Sequence, residues 1–219
     1  MMRGAIPPAR LGALVALLFV SVCALAGDPG VDPEDVASAR AKFIGSAGFG
    51  IQHPAAPAEV AQFGRLVGIW GVEQEIRMRD LTWFRETPGV WIWKYAADGF
   101  GTQDFWYQNA SRLPSYMENL GHDYVLTALR IYDAAAGMWR VAWVSNSGGG
   151  GSGSVFGSFE ARFESGEIVM RGSGAAGIGE QRIAFSDMTD QSFRWRSEYS
   201  QDGGASWTTF MRLTAHRIE

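Results

Sequence analysis

The sequence predicts an all-β protein, an antiparallel meander that closes into a barrel of about ten strands and follows short N-terminal helices. From about Leu66 to Arg217, apolar and polar residues alternate with a period of two in one short segment after another, which is the pattern of half-buried strands. Turn-forming residues separate these segments. No helical stretch of about 10–15 residues interrupts them, so a parallel α/β sheet is not expected.

The first 26 residues have the pattern of a secretory signal peptide. Arg3 and Arg10 form a basic start, residues 11–22 are apolar, and residues 24–26, Ala-Leu-Ala, form a small-x-small cleavage site. The apolar stretch is shorter than the roughly 20 residues that span a bilayer. We therefore expect no membrane span and a periplasmic or secreted protein.

The only cysteine, Cys23, lies within this segment. The mature chain is therefore expected to contain neither a disulfide nor a thiol nucleophile. The residues before Cys23 loosely resemble a lipobox, so a lipid anchor is an alternative, although Val22 stands where that motif has a small residue. The net charge of −4 and the absence of a basic run argue against nucleic acid as a partner.

Residues 27–58 are rich in Gly, Pro, Ala and acidic residues, which predicts a linker with one short helix. That helix is expected from Asp32 to about Ile44, because Asp32 is a good capping residue and Pro33 suits the first turn. A second, shorter helical stretch is expected at residues 58–66, at the start of the barrel domain. The barrel itself is expected over residues 59–219.

The alternation predicts ten strands joined mostly by short turns. They are expected at residues 68–78, 90–96, 102–109, 124–133, 138–145, 157–164, 167–172, 181–188, 193–199 and 207–217. The turn before the last strand carries Asp202-Gly203-Gly204 and resembles the Asp-box of sialidase-type repeats. Since a propeller needs repeated blades and only one copy is present, we interpret this turn as a structural brace.

Several landmarks of the strand region resemble one family. They are Gly68-x-Trp70, the Gly-Thr-Gln-Asp-Phe-Trp run at 101–106, Tyr132-Asp133 followed by Gly137-x-Trp139, and the turn at 200–207. Their order resembles bacterial lipocalin-like β-barrel proteins of unknown function, which are calycin-type and distantly akin to nitrobindin and fatty-acid-binding barrels. This resemblance covers roughly residues 60–219. It implies that Trp70 closes one end of the barrel against a late arginine, either Arg212 or Arg217.

Large aromatic residues tend to share the parity of the apolar positions in their strands, and each can bury about 150–250 Å². Parity assigns one set to the inner wall as candidate ligand-binding residues: Trp91, Trp93, Phe105, Tyr107, Trp143, Trp195 and Met211. Polar contacts are expected from Gln74, Thr127, Ser197 and Thr209. This wall either packs into a solid core or lines a cavity for a small apolar molecule.

No catalytic, metal or cofactor site is predicted. The Gly172–Gly177 segment matches GxGxxG, but a strand pattern follows it where a dinucleotide site needs a helix. His53, His122 and His216 lack metal-ligand spacing. No GxSxG motif occurs, and parity turns Glu73, Glu75, Glu160, Glu164 and Glu198 away from the aromatic face.

The function predicted from these observations is the non-catalytic binding of a small hydrophobic ligand. One alternative is a barrel enzyme, an isomerase, cyclase or hydratase, which requires an inward titratable side chain with a perturbed pKa. Another is an envelope structural or adaptor protein with a filled barrel, which requires an exposed apolar patch.

Overall fold

The computed structural model describes residues 30–113, 115–147, 156–173 and 179–219. The expected signal peptide, with Cys23, lies outside these residues, as do most of the glycine-rich segments. Among the helices of the described residues, none is both long enough and apolar enough to cross a membrane.

Two short α-helices precede the sheet: α1 spans Pro33–Phe43 and α2 spans Val60–Gly64. α1 begins where the sequence predicts, because the Asp32 side chain accepts a hydrogen bond of 2.8 Å from the amide of Glu34 and Pro33 occupies the first turn. Within the described residues, 3₁₀ turns lie in the links between strands, at Ala97–Gly99, Ala110–Arg112 and Ser115–Leu120.

The strands of the described residues form one antiparallel sheet. In chain order, β1 to β11 are Gly68–Arg77, Trp83–Arg85, Gly89–Ala96, Gly101–Gln108, Tyr124–Asp133, Met138–Ser145, Phe156–Glu164, Glu167–Ser173, Glu180–Ser186, Ser192–Ser200 and Thr208–Arg217. From β3 onward each strand pairs with the next one in the chain, and β11 pairs with β1. The prediction of a closed antiparallel meander is therefore confirmed, with the three-residue β2 as an addition beside β1.

β1 closes the barrel by pairing on both sides. Trp70 lies opposite Trp91 of β3 and Arg217 of β11 in the two registers, and Val72 lies opposite Ala215. Closure satisfies the backbone groups that an open meander would expose at its edges. Arg217 lies over the Trp70 ring at 4.1 Å, so of the two expected partners it is Arg217 that packs on this tryptophan. Arg212 lies instead over Trp83, 4.0 Å from the ring centroid.

The barrel has two ends that differ in what covers them. α2 and the links β3–β4, β5–β6, β7–β8 and β9–β10 lie at one end, which we call the α2 end. The carboxyl-terminal ends of β4, β6, β8 and β10 lie at the other, which we call the far end. At the α2 end, the fully buried ring of Phe63 lies 4.9 Å from Trp139 and 5.5 Å from Phe185. This helix thus supplies core residues that the strands alone do not.

A second apolar cluster lies outside the barrel, where α1 covers β1, β3 and β4. It includes Ala39, Ile69, Ile92 and Tyr107, with Phe43 and Phe105 packed against it. The rings of Phe43 and Phe105 stack at 4.6 Å. Placing Phe105 and Tyr107 on the inner wall was therefore wrong. β4 is covered on both faces, so its apolar residues do not mark one side.

The last hairpin is held by its turn, as the structural interpretation of the Asp-box predicts. Asp202 accepts hydrogen bonds from the hydroxyl of Ser200 and from both the amide and the hydroxyl of Ser206. Those bonds, above all the ones from Ser206, lower the pKa of Asp202 to about 2. Gly203 and Gly204 have φ values of 70° and 85°, which residues other than glycine rarely adopt. The turn is therefore specified by its own hydrogen bonds and glycines.

Candidate functional site

The inner wall of the far half of the barrel carries large side chains that are only partly buried. Tyr124, Leu126, Trp143 and Trp195 pack against the inner cluster yet keep intermediate exposure. Met211 has the inward parity of Leu213 and Ala215 and is also partly exposed. These side chains are therefore less tightly covered than those of the inner cluster, although Trp195 also borders a groove on the outer surface.

Trp91 connects the two halves of the interior. Its ring lies 5.6 Å from both Trp106 and Phe193, and 6.5 Å from Trp195. It also lies 5.2 Å from Trp93, which belongs to the α2 half. Tilted and edge-on contacts of this kind are favourable between aromatic rings. These contacts fix the layer of inward side chains between the two halves, which we call the floor of the far half.

A buried ion pair, Asp104 with Arg130, lies in this floor. The Asp104 Oδ1 accepts from the Arg130 Nη1 at 2.5 Å and from the Ala128 amide at 3.1 Å, and its Oδ2 accepts from the Trp91 indole at 2.5 Å. The side chains of Asp104 and Arg130 are 1% and 3% exposed. We call Trp91, Trp93, Thr102, Asp104 and Arg130 the central polar group.

Aromatic rings hold the guanidinium of Arg130 in place. Its central carbon lies 4.3 Å from the Trp93 ring centroid and 4.9 Å from that of Phe63. Cation–π contacts of this kind strengthen where water is excluded. Since replacing such a buried pair with apolar residues is often neutral or stabilising, stability alone does not explain its presence.

Three polar atoms of the central polar group have no hydrogen-bond partner among the described residues. They are the indole Nε1 of Trp93, the Oγ1 of Thr102 and the Nε of Arg130. The strand register sets Thr102 directly opposite Arg130, and Trp93 opposite Asp104. An unpartnered buried polar group costs about 1–3 kcal/mol, so three in one place are unusual in a finished core. All three residues are neighbours on the inner face, and each of the three atoms can donate a hydrogen bond.

Polar side chains ring the interior toward the far end. The amide of Gln74 donates to Glu86, and Gln181 donates to Ser197 at 2.9 Å. Burial raises the pKa of the inward Tyr124 to about 12. The far half thus combines aromatic walls with a polar rim that includes the buried carboxylate of Glu86.

The expected polar contacts divide between the two faces. Gln74 and Ser197 are buried on the inner side, as predicted. Thr127 instead accepts from Gln103 on the outside, and Thr209 donates to Glu198 among the outer ion pairs. Both were therefore assigned to the wrong face.

Of the predicted ligand-binding residues, five lie on the inner side: Trp91, Trp93, Trp143, Trp195 and Met211. Phe105 and Tyr107 lie in the outer cluster. Parity missed Thr102, Asp104, Trp106 and Arg130, which all face inward. The sequence contained one signal that could have corrected β4, the apolar side of α1. A helix with an apolar side packs against an apolar face, so an outer sheet face with apolar residues was to be expected.

The outer surface carries many ion pairs between glutamates and arginines. The five glutamates expected to face outward each pair with an arginine: Glu73 with Arg85, Glu75 with Arg212, Glu160 with Arg140, Glu164 with Arg171, and Glu198 with Arg182. A groove of about 560 Å³ runs over this surface between β2 and β10, and its charged lining is largely paired. It offers no arrangement for acid–base chemistry.

The histidines and the glycine motif form no site within the described residues. No group of three or more His, Cys, Asp or Glu side chains there is placed to hold a metal. The ring of His53 stacks on Phe100 at 4.7 Å, and His122 contacts the carbonyl of Asp123. The GxGxxG match starts inside β8, its residues 174–177 lie outside the described residues, and β9 begins at Glu180. The helix that a dinucleotide site needs is therefore not found after it.

Comparison with known proteins supports the fold alone. No protein-family model matches the sequence, and no curated protein matches it. The crystal structure of Rv2717c from M. tuberculosis is similar over 75% of this chain and 99% of its own, with 10% identity and a TM-score of 0.50. The S-type phycobiliprotein lyase CPES from Guillardia theta is similar over 73% and 92%, with 11% identity and a TM-score of 0.49.

Proposed function

We propose that this protein binds a small hydrophobic ligand in the far half of its barrel and does so without catalysis. The observation that supports this most directly is that Trp143, Trp195 and Met211 have inward positions and are only partly buried. Apolar surface accessible inside a barrel contributes free energy when a ligand covers it, at about 25 cal/mol per Å². A ligand here would lie between aromatic walls, above the central polar group.

The inward carboxylate favours binding over catalysis. Asp104 is a titratable side chain on the inner face, which the enzyme alternative requires. Its two oxygens already accept from Trp91, Ala128 and Arg130. A general base needs an oxygen within reach of the substrate proton. Asp104 is instead committed to the barrel wall as an anchor for Arg130.

The adaptor alternative is favoured by one observation, an apolar tip on the link between β1 and β2. Met78, Leu81 and Phe84 are all exposed there, and Leu81 has a φ of 70° in the turn. An adaptor of this kind would dock through the tip and leave the barrel interior unused. It therefore predicts that the far half takes up no apolar molecule.

We further propose that the protein works in the periplasm or outside the cell, with support from the signal-peptide pattern alone. Intact mass of the protein from its native cells tests this. A chain that begins at Gly27 is expected, and a chain that retains residues 1–26 would contradict the proposal. An added lipid mass at Cys23 would establish the alternative of an anchored protein.

The binding proposal is tested with diphenylhexatriene, an uncharged hydrocarbon whose fluorescence rises in apolar surroundings. We expect saturable binding, with one bound mass by native mass spectrometry. Trp143→Ala and Trp195→Ala each remove an aromatic wall and should weaken binding about tenfold. Trp83→Ala is the matched control, since Trp83 lies on the outside against Arg212.

Two results would contradict the proposal. One is no binding by the wild-type protein, which the adaptor alternative predicts. The other is equal weakening by the inner and outer tryptophan variants, which would place the probe on the surface.

A further inference from the structure

We propose that the ligand is an uncharged molecule with a carbonyl-type acceptor, and that this acceptor binds to the central polar group. This inference rests on the proposed function and adds the chemical class of the ligand. Its starting point is the three atoms without a partner, the Nε1 of Trp93, the Oγ1 of Thr102 and the Nε of Arg130.

The donor inventory indicates an acceptor. An indole N–H and a guanidinium N–H only donate, and a hydroxyl can donate as well. A ligand that only donates would leave the Trp93 and Arg130 hydrogens unpaired, while a carbonyl oxygen has two lone pairs to receive them. A purely hydrocarbon ligand would leave all three atoms as they are.

The charge of the group indicates a neutral acceptor. Asp104 already balances Arg130, and both are almost fully buried. A ligand carboxylate at the Arg130 Nε would place a second negative charge beside Asp104 in a site that excludes water. Like charges in such a setting repel strongly, and an unbalanced buried charge is costly. Ketones, esters and amides present the same oxygen without that charge.

The strand register connects the polar group to the aromatic wall. Asp104 lies opposite Ala128, and Ala128 lies opposite Trp143. One row across the sheet thus runs from the ion pair to a partly exposed indole. A molecule whose carbonyl reaches this floor would extend its apolar part along Trp143 and on toward Trp195.

The test uses parinaric acid and its methyl ester, which share one fluorescent chain and differ in charge. At neutral pH the wild-type protein should bind the ester about tenfold more tightly than the acid. Asp104→Asn leaves the Arg130 charge unbalanced, so the acid should gain and the preference should fall to one or reverse. A wild-type preference for the acid, or an unchanged ratio in the variant, would overturn the inference.

Two milder variants keep the test decisive if Asp104→Asn does not fold. Thr102→Val removes one donor and keeps the shape of the side chain, while Trp93→Phe removes one donor and also truncates the buried indole. Each should weaken binding of the ester more than binding of diphenylhexatriene, so that the ratio of the two affinities falls about threefold to tenfold. If a buried water alone satisfies these donors, neither variant will change the ratio of ester to hydrocarbon affinity, and the inference is wrong.

The possible results distinguish a failure of this inference from a failure of the proposed function on which it rests. Failure of wild-type protein to bind any of the three probes removes the proposed function and this inference with it. Binding of the hydrocarbon with no sensitivity of the ester to Thr102, Trp93 or Asp104 removes only the inference.

Discussion

The two halves of the barrel interior share the same strands but are finished differently. In the α2 half, Phe63, Trp93, Trp139 and Phe185 are between 0% and 1% exposed. In the far half, Trp143 and Trp195 point inward and remain partly exposed. Both halves have aromatic inner walls, so the type of side chain does not by itself determine whether the interior is fully packed. One half is closed by a helix that inserts its own side chains.

The width of the barrel explains why a helix is needed. An eight-stranded barrel has an interior that its own side chains just fill, and the diameter grows with strand number. Here ten strands form the closed sheet, so additional side chains have to occupy the space. Val60, Phe63 and Leu66 do so at the α2 end, and all three are fully buried.

Removing that insertion should produce the largest effect. Phe63→Ala deletes the ring that contacts Trp93, Trp139 and Phe185. We expect the free energy of unfolding to fall by about 3–5 kcal/mol, because a buried cavity replaces the ring. Urea denaturation measures this. The variant should also take up more diphenylhexatriene, since its α2 half now resembles the far half.

The matched control is Phe84→Ala, which truncates a ring that is 51% exposed on the β1–β2 tip. It should change stability by no more than about 0.5 kcal/mol. Equal losses in the two variants would mean that Phe63 does not fill the barrel, and the contrast between the halves would be wrong.

The boundary between the halves gives the next effect in size. Arg130→Met keeps much of the side-chain volume but leaves Asp104 buried without its cation. The expected loss is about 3 kcal/mol, by the same denaturation measurement. Arg171→Met, which breaks the exposed pair with Glu164, should cost under about 1 kcal/mol. A small effect at Arg130 would show that the pair is not buried as described.

The sequence predicted this interior well where one sheet face meets water. Along β10 the outer positions Arg194, Arg196 and Glu198 are polar, so alternation correctly assigned Trp195 to the inside. It failed on β4, where α1 covers the apolar outer positions Phe105 and Tyr107 and polar residues such as Thr102 and Asp104 face inward. Coverage by a distant segment is a tertiary property, and a period of two in one strand does not contain it.

The central polar group was missed for a related reason. On β5, Leu129 is 42% exposed while its neighbour Arg130 is buried, which reverses the usual preference of both residues. Arg130 is tolerated inside only because Asp104 faces it from β4. That match depends on the register between two strands. Neither strand reveals it alone.

At the far end, the turn between β10 and β11 is held by hydrogen bonds to Asp202. The pH dependence of stability that results is the smallest of the effects predicted here. Hydrogen bonds from Ser206 and Ser200 hold the pKa of Asp202 at about 2, below its usual 3.8. A folded-state pKa below the unfolded value stabilises the protein above about pH 4, and that contribution is lost as pH falls toward 2. Asp202→Asn should therefore make stability less dependent on pH between 4 and 2.

Thermal unfolding of the two proteins across this range measures the difference in slope. Asp187→Asn is the control, because Asp187 is a turn residue at the α2 end, in a loose pair 3.4 Å from Arg194. It should leave the slope as in the wild type. Parallel curves for Asp202→Asn and the wild type would show that the far hairpin does not depend on its turn carboxylate. Packing of Tyr199 on Phe210, whose rings lie 5.9 Å apart, would then have to hold that end, as packing holds the other.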